Sequence, residues 1–476
     1  KELAWRKFNV EMTEIEGLIG KGKNQITIDL APVEKVSRYA CADGDYTYRL
    51  VELYRPQIEE KNLHKLFYEI EMPLLPVLVD MERAGVLLDH KALGELSVVL
   101  AERMSALEKE IYKAVGAPFN LASPAQLSDA LFNKLGLSSQ GLGRTSTGQI
   151  STAAGVLESL SDQNPVIPLI LEHRVLAKLK GTYVDALPVL VNPKTGRVHT
   201  TYNQIGAVTG RLSSNDPNLQ NIPVRTEEGR LVRRAFIAAP GHLLVSADYS
   251  QVELRIVAHI SKDPNLLDAF AKDEDIHAAT ASLLFNVPLD QVTPEMRARG
   301  KTINFGVIYG ISDWGVTART DLSRDDSRQL IANYFSKYAK VKEYLDETKR
   351  LAREQGYVET LFGRRRYFPE LTGGGRMNPA LRNRAEREAI NHPIQGSAAD
   401  IIKLAMVNLH RELQRFQTRM LLQVHDELVF EAPEAEVDKI APVVRDVMEN
   451  SYKMDVRLKT DIKVGQNWDR MKAWGK

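Results

Sequence analysis

Two short apolar runs, Leu243–Ala247 and Met420–Phe430, constrain the fold more than any other feature of the chain. Both are too short and too evenly apolar for an amphipathic helix and read as buried strands. Each carries acid where a core strand should not. The first ends at Asp248 and continues through Tyr249, Ser250, Gln251, Val252, Glu253, Leu254 and Arg255, a strand that turns into a helix. The second would be an apolar hairpin but for the adjacent Asp426 and Glu427. Adjacent acids there cost stability unless they are solvated or bound to a metal. Magnesium favours oxygen ligands and binds through one or two carboxylates plus substrate phosphates. Taken singly, Asp248 reads first as a helix N-cap and Asp426–Glu427 first as an exposed acidic turn, so each needs the other.

The sheet cannot be the whole fold. Helical patterns dominate from Asp263 to Asn391, and Leu93, Leu96, Leu100, Met104, Leu107, Ile111 and Val115 mark one face of a long helix that stops at Gly116 and Pro118. A shorter helical pattern begins at Ser123 and gives way to a Gly, Ser and Thr-rich loop over Ser138–Gly148. Near the start, Gln25–Leu30 alternates in polarity before a helical segment with Tyr39 and Asp43. The expected class is α/β (α+β), and 476 residues at roughly 150 per domain suggest about three domains. Lys plus Arg total 63 against 62 acids, so net charge neither demands nor excludes a nucleic-acid partner. The single cysteine, Cys41, rules out an intrachain disulfide and fits a reducing cytoplasm. With no run of about 18 apolar residues and no secretory signal, the reading is a cytoplasmic protein without a membrane partner. Because Lys1 stands where a methionine would start translation, the chain reads as a fragment.

A third segment supplies cations. Arg297, Lys301, Phe305 and Tyr309 are spaced by four, and four helical residues turn about 400° and rise ~6 Å. They form one stripe with cations at one end and aromatics at the other, matching the polarity of a nucleoside triphosphate. The same stripe also fits a surface helix with a core-facing end. Arg364–Arg387 adds seven arginines, at 364, 365, 366, 376, 382, 384 and 387, a local excess suited to phosphate contacts.

In this order, Asp248–Arg255, Arg297 through Gly310, and Val424-His425-Asp426-Glu427 resemble motifs A, B and C of the family A DNA polymerases, of the bacterial DNA polymerase I type. The similarity continues through Thr209–Ser214, Asp216–Pro223, Phe362–Tyr367 and Pro393–Asp400. The resemblance implies a right-hand polymerase fold: a palm sheet, helical fingers and thumb, and a partial RNase H-like exonuclease remnant at the N-terminus. The implied boundaries are 1–55 for the remnant, 56–205 for linker helices and thumb, 206–260 for palm, 261–390 for fingers and 391–476 for palm again. It implies template-directed addition of dNTPs to a primer 3′-hydroxyl by a monomer bound to primer-template DNA. Two Mg²⁺ ions, with Mn²⁺ as a substitute, would be bridged by Asp248 and Asp426 and helped by the Tyr249 carbonyl, with Glu427 auxiliary. Arg297, Lys301 and His277 would grip the β and γ phosphates, and Lys301 counts among the catalytic residues. Phe305 would pack on the incoming sugar and base, Glu253 would obstruct a ribose 2′-hydroxyl, Tyr309 would sit on the template side, and Gln251 belongs to the nucleotide site. Arg211, Asn218, Asn221, Arg225, Arg387, Asn391, Gln395 and His425 match positions that contact primer-template, with Lys178 and Lys180 adding thumb contacts.

The chain departs from the family pattern at Ala298, where a second arginine is common, and Arg299 lies about 200° round the helix from Arg297. Tyr39–Asp43 resembles the last exonuclease motif, but one acid cannot assemble a two-metal nuclease, so proofreading is expected to be absent. The competing readings are a catalytically silent primer-template binding module, a metal-dependent nuclease and an RNA-making or RNA-copying enzyme.

Overall fold

A computed structural model describes residues 1–145, 147–224, 226–317, 320, 322–373 and 378–475. Both apolar runs become neighbouring strands. β1 (His242–Tyr249) pairs antiparallel with β3 (Glu427–Pro433), which forms a hairpin with β2 (Arg419–Val424). On its other side β1 pairs with β4 (Thr460–Gly465), and β5 (Lys472–Ala473) closes that edge, giving the order β5-β4-β1-β3-β2.

Strand alternation divides the sheet between two cores. Val245, Ala247 and Tyr249 of β1, with Leu428 and Phe430 of β3, belong to one core. Leu244 and Val429 face the other, together with Leu422 and Val424 of β2. The second face is apolar at Leu244 and becomes polar along the strand at Ser246 and then Asp248, which is exposed. The acidic position is therefore the end of a buried surface, where the strand emerges into water.

Helix α1 (Val33–Glu60) has no buried residue, and Gln25–Leu30, whose polarity alternates, forms a short 3₁₀ turn at Ile28–Leu30 and no strand. Helix α2 (His90–Val115) buries Leu93, Leu96, Leu100, Leu107 and Ile111, as its periodicity requires, and ends at Gly116 with φ 84°. It packs on α3 (Val166–Leu179) in the second core. After β1 come α4 (Val252–Ser261), α5 (Ile276–Phe285) and α6 (Pro294–Ile308), then the 35-residue α7 (Pro379–Leu413) and α8 (Val437–Glu449), which cover the first face of the sheet. The division drawn between residues 390 and 391 falls inside the continuous α7.

Helices α5 and α6 cross unusually closely. A Cβ built on Gly300 would lie 2.3 Å from the His277 carbonyl oxygen and 2.9 Å from the Ala281 nitrogen, so only glycine fits there. Both helices start on side-chain caps: Asp275 accepts from the backbone nitrogens of His277 (3.0 Å) and Ala278 (3.1 Å), and Thr293 from that of Met296 (3.2 Å).

A buried charge network ties distant segments together. Arg364 donates to Asp400 (2.6 Å and 2.8 Å) and to Glu71, and Lys403, 1 % exposed, donates to Glu71 at 2.8 Å. The arginine-rich segment is thus largely committed to ion pairs: Arg365 with Glu359, Arg366 and Arg384 with Glu388, and Arg382 with Glu386. In the free chain much of its positive charge therefore faces nearby carboxylates, with Arg382 and Arg384 still largely exposed. Arg387 is exposed, and Arg376 lies outside the described residues.

Candidate active site

The sheet register places Glu427 and Asp461 on either side of Asp248, an acidic row across three strands. Asp426 occupies the tight turn between β2 and β3, after His425, which has φ 55°. Its carbonyl accepts from the Tyr249 nitrogen at 3.1 Å, joining the two acidic motifs through the backbone. Asp248 is reached by water but crowded by protein, and that desolvation, followed by the charges of Glu427 and Asp426, pushes its carboxyl up to about 7; Lys463 opposes the rise. Burial likewise raises Asp426, against the pull of Arg211.

Glu427 is held differently. Its Oε1 accepts from Ser246 Oγ (2.5 Å) and Trp468 Nε1 (3.0 Å), while Oε2 faces the Arg233 guanidinium at 3.7 Å. Arg233 is itself buried and stacks 3.9 Å over Trp468. Nothing in the sequence signalled this clamp, since Arg233 and Trp468 sit outside the acidic segments and are brought in by the fold.

Two neighbouring carboxylates, both raised by burial, are a suitable oxygen donor pair for a divalent ion. Among the described residues no three His, Cys, Asp or Glu side chains group to hold an ion by themselves. An oxygen pair suits a hard divalent cation that takes the rest of its shell from water and substrate phosphates. The Tyr249 side chain points away, donating to the Met448 carbonyl at 2.7 Å, so only its backbone could contribute.

Beside the acids, Glu253 accepts from Arg211 Nη2 at 2.7 Å and from the Tyr309 hydroxyl. Tyr309 is the cap just beyond α6, so the stripe of four is helical over Arg297, Lys301 and Phe305 and then breaks, turning Tyr309 toward Glu253. Gln395 is also within hydrogen-bonding reach of the Tyr309 hydroxyl. A cleft of ≈ 1050 Å³ runs along this surface, lined by Lys301, Phe305, Tyr309 and Arg387. Lys301 is exposed and makes no ion pair among the described residues, whereas Arg297 is held by the cap residue Asp275. His277 is buried against α6, its ring 5.8 Å from that of Phe305. A separate cavity of ≈ 770 Å³ beside Asp80, Arg197 and Glu431 contains none of the motif residues.

The remaining positions lie on several different elements. Gln251, with φ 54°, forms the turn from β1 into α4. Asn218 caps its own turn by accepting from the Gln220 nitrogen at 3.0 Å, and Asn221 and His425 are exposed. Asn391 has a buried Oδ1 without a hydrogen-bond partner among the described residues. Lys178 is exposed on α3, whereas Lys180, just after it, is tied to Asp185 (2.7 Å) and Ser97 (2.9 Å). Arg225 lies outside the described residues.

Residues 90–470 match the model of DNA polymerase family A. The chain belongs to that family. Its relatives include DNA polymerase I of Chloroflexus aurantiacus, 53% identical over 99% of this chain and 50% of the relative, and that of Pseudomonas aeruginosa, 47% identical over 98% and 51%. The thermostable DNA polymerase I of Thermus aquaticus is 48% identical over 86% of this chain and 49% of its own. The chain spans about half the length of these curated relatives. Among solved structures, the POL domain of Pol1 from M. smegmatis in complex with DNA primer-template and dNTP superposes with a TM-score of 0.86 at 39% identity, covering 98% of this family A chain and 78% of that one. Family membership accords with dependence on a divalent metal, and no helix among the described residues is long and apolar enough to cross a membrane.

Proposed function

We propose that this chain performs template-directed DNA synthesis, joining a deoxynucleoside triphosphate to a primer 3′-hydroxyl with release of pyrophosphate. The observation that carries the reading is the backbone bond between Tyr249 and Asp426, which fixes the two motif acids at one end of the sheet. Two bound divalent ions, Mg²⁺ by their oxygen donor set, would acidify the primer hydroxyl and neutralise the triphosphate and the departing pyrophosphate. Asp248 and Asp426 would hold them, with the Tyr249 carbonyl as a further oxygen donor. Glu427, its oxygens already taken by Ser246, Trp468 and Arg233, shapes the field at Asp248.

The cationic half of α6 meets the triphosphate: Lys301 Nζ and the Arg297 guanidinium donate to phosphate oxygens, with Arg297 oriented by its ion pair to Asp275. Phe305 offers an apolar face to sugar and base. Glu253, anchored by Arg211 and Tyr309, is fixed enough to exclude a 2′-hydroxyl by contact. Arg211, Asn218, Asn221, Arg387, Asn391, Gln395 and His425 are the primer-template surface in this reading, and residues 91–205 the thumb, with the protein acting as a cytoplasmic monomer. Asp248→Ala and Asp426→Ala should each abolish nucleotide addition while primer-template binding remains measurable by fluorescence anisotropy. Near-normal extension by either variant would overturn the metal-site reading.

A further inference from the structure

His277 is 2 % exposed, and its two ring nitrogens meet different surroundings. Nδ1 lies 3.0 Å from Asn304 Nδ2. Asn304 is completely buried on α6, one turn after Gly300, where the two helices touch. Its whole amide is engaged: Nδ2 also donates to the Ile276 carbonyl at 3.3 Å, and Oδ1 accepts from Thr280 Oγ1 at 2.9 Å. A carbonyl can only accept, so Ile276 fixes which end of the amide is the NH₂. The end facing His277 is then a donor, Nδ1 must be the acceptor, and the ring proton resides on Nε2. Nε2 has no partner among the described residues and is not one of the buried unpaired atoms, so it keeps contact with solvent, and the ring lies within electrostatic reach of Arg297 and Lys301. Burial, Arg297 and Lys301 hold the ring neutral, with a pKa of about 4, although Asp275 pulls the other way.

We infer that Asn304 is a positioning residue: together with Thr280 and the Ile276 carbonyl it locks His277 in the Nε2–H tautomer, aiming a neutral N–H at a phosphate oxygen of the incoming nucleotide. The inference rests on the polymerase reading for its ligand but not for its geometry. A neutral donor complements the fixed charges of Arg297 and Lys301, because it can take one phosphate oxygen without adding charge that would hinder pyrophosphate release.

The test has two arms. In the first, two-bond ¹H–¹⁵N spectra of the intact chain labelled at histidine, with His277→Gln identifying the resonance, should give an unprotonated Nδ1 and a protonated Nε2 at neutral pH. A protonated Nδ1 in the unmodified chain would overturn the inference without reference to any activity and without depending on how a variant folds. In the second, Asn304→Leu should release the tautomer and raise KM for dNTP by about 10-fold or more, the loss of one hydrogen bond to a charged group, with primer-template affinity unchanged. Thr280→Val, which leaves Asn304 in place, should show a smaller shift in the same direction. Both variants folded with an unchanged KM would overturn the positioning role while leaving the polymerase reading intact; a wild-type chain unable to extend a primer would overturn that reading and with it the ligand named here.

Discussion

At the scale of single residues, the site is governed by where charge is left uncompensated. Asp248 ordinarily ionises near 3.8 but is held to about 7 in the folded chain. The folded state therefore keeps a proton that the unfolded state has already lost, and metal-free stability from this group falls as pH rises from about 4 through about 7. His277 works in the opposite sense: its folded pKa of about 4 lies below the ordinary 6.5, so its contribution is lost as pH falls through that interval. Asp248→Asn isolates the first effect. Above pH 7 the metal-free variant should be more stable than the wild type by about 1 kcal/mol, a figure kept small because water screens this exposed group. The difference should vanish near pH 4, and Mg²⁺ should raise the melting temperature of the wild type only; equal pH profiles in thermal melts would contradict this account. Glu253→Ala removes the carboxylate that Arg211 and Tyr309 hold in place, and should raise ribonucleotide incorporation relative to deoxyribonucleotide by about 10-fold or more. Competition assays with rNTP and dNTP measure it, and unchanged sugar selectivity would remove the role.

Among elements, legibility followed periodicity. The helix over Leu93–Val115 with its stop at Gly116, the strand ending at Asp248 and the hairpin around Asp426 could all be read because apolar spacing is a local signal. Gln25–Leu30 alternates in polarity yet forms only a 3₁₀ turn, since alternation without a neighbouring strand does not make a sheet. The supports of the site were invisible for a different reason. Asp275, Asn304, Arg233 and Trp468 act on residues 22 to 194 positions away, so their roles exist only after folding; Gly300 inside a helical pattern was a local hint of a close crossing. Gly300→Ala should accordingly force α5 and α6 apart, costing about 1–3 kcal/mol in denaturant melts and weakening dNTP binding more than DNA binding. A fully stable variant would show that the crossing is less tight than described.

Across the whole molecule, the sheet separates two cores and the acids lie where one of its faces runs out into water. The charge network of Glu71, Arg364, Asp400 and Lys403 joins the segment before residue 72, the turn around residue 360 and α7. Removing one partner strands a buried charge, so Glu71→Gln should destabilise the chain by about 3–5 kcal/mol, while Lys403→Met paired with Glu71→Leu should recover much of the loss. Additive losses in that double variant would contradict the coupling. The most direct test of the central claim is extension of a labelled DNA primer on a defined DNA template in Mg²⁺, with one dNTP supplied at a time. The account predicts efficient addition of the template-matched nucleotide alone, abolished by EDTA and by Asp248→Ala. A primer that is bound but never lengthened, or one that shortens, would contradict it.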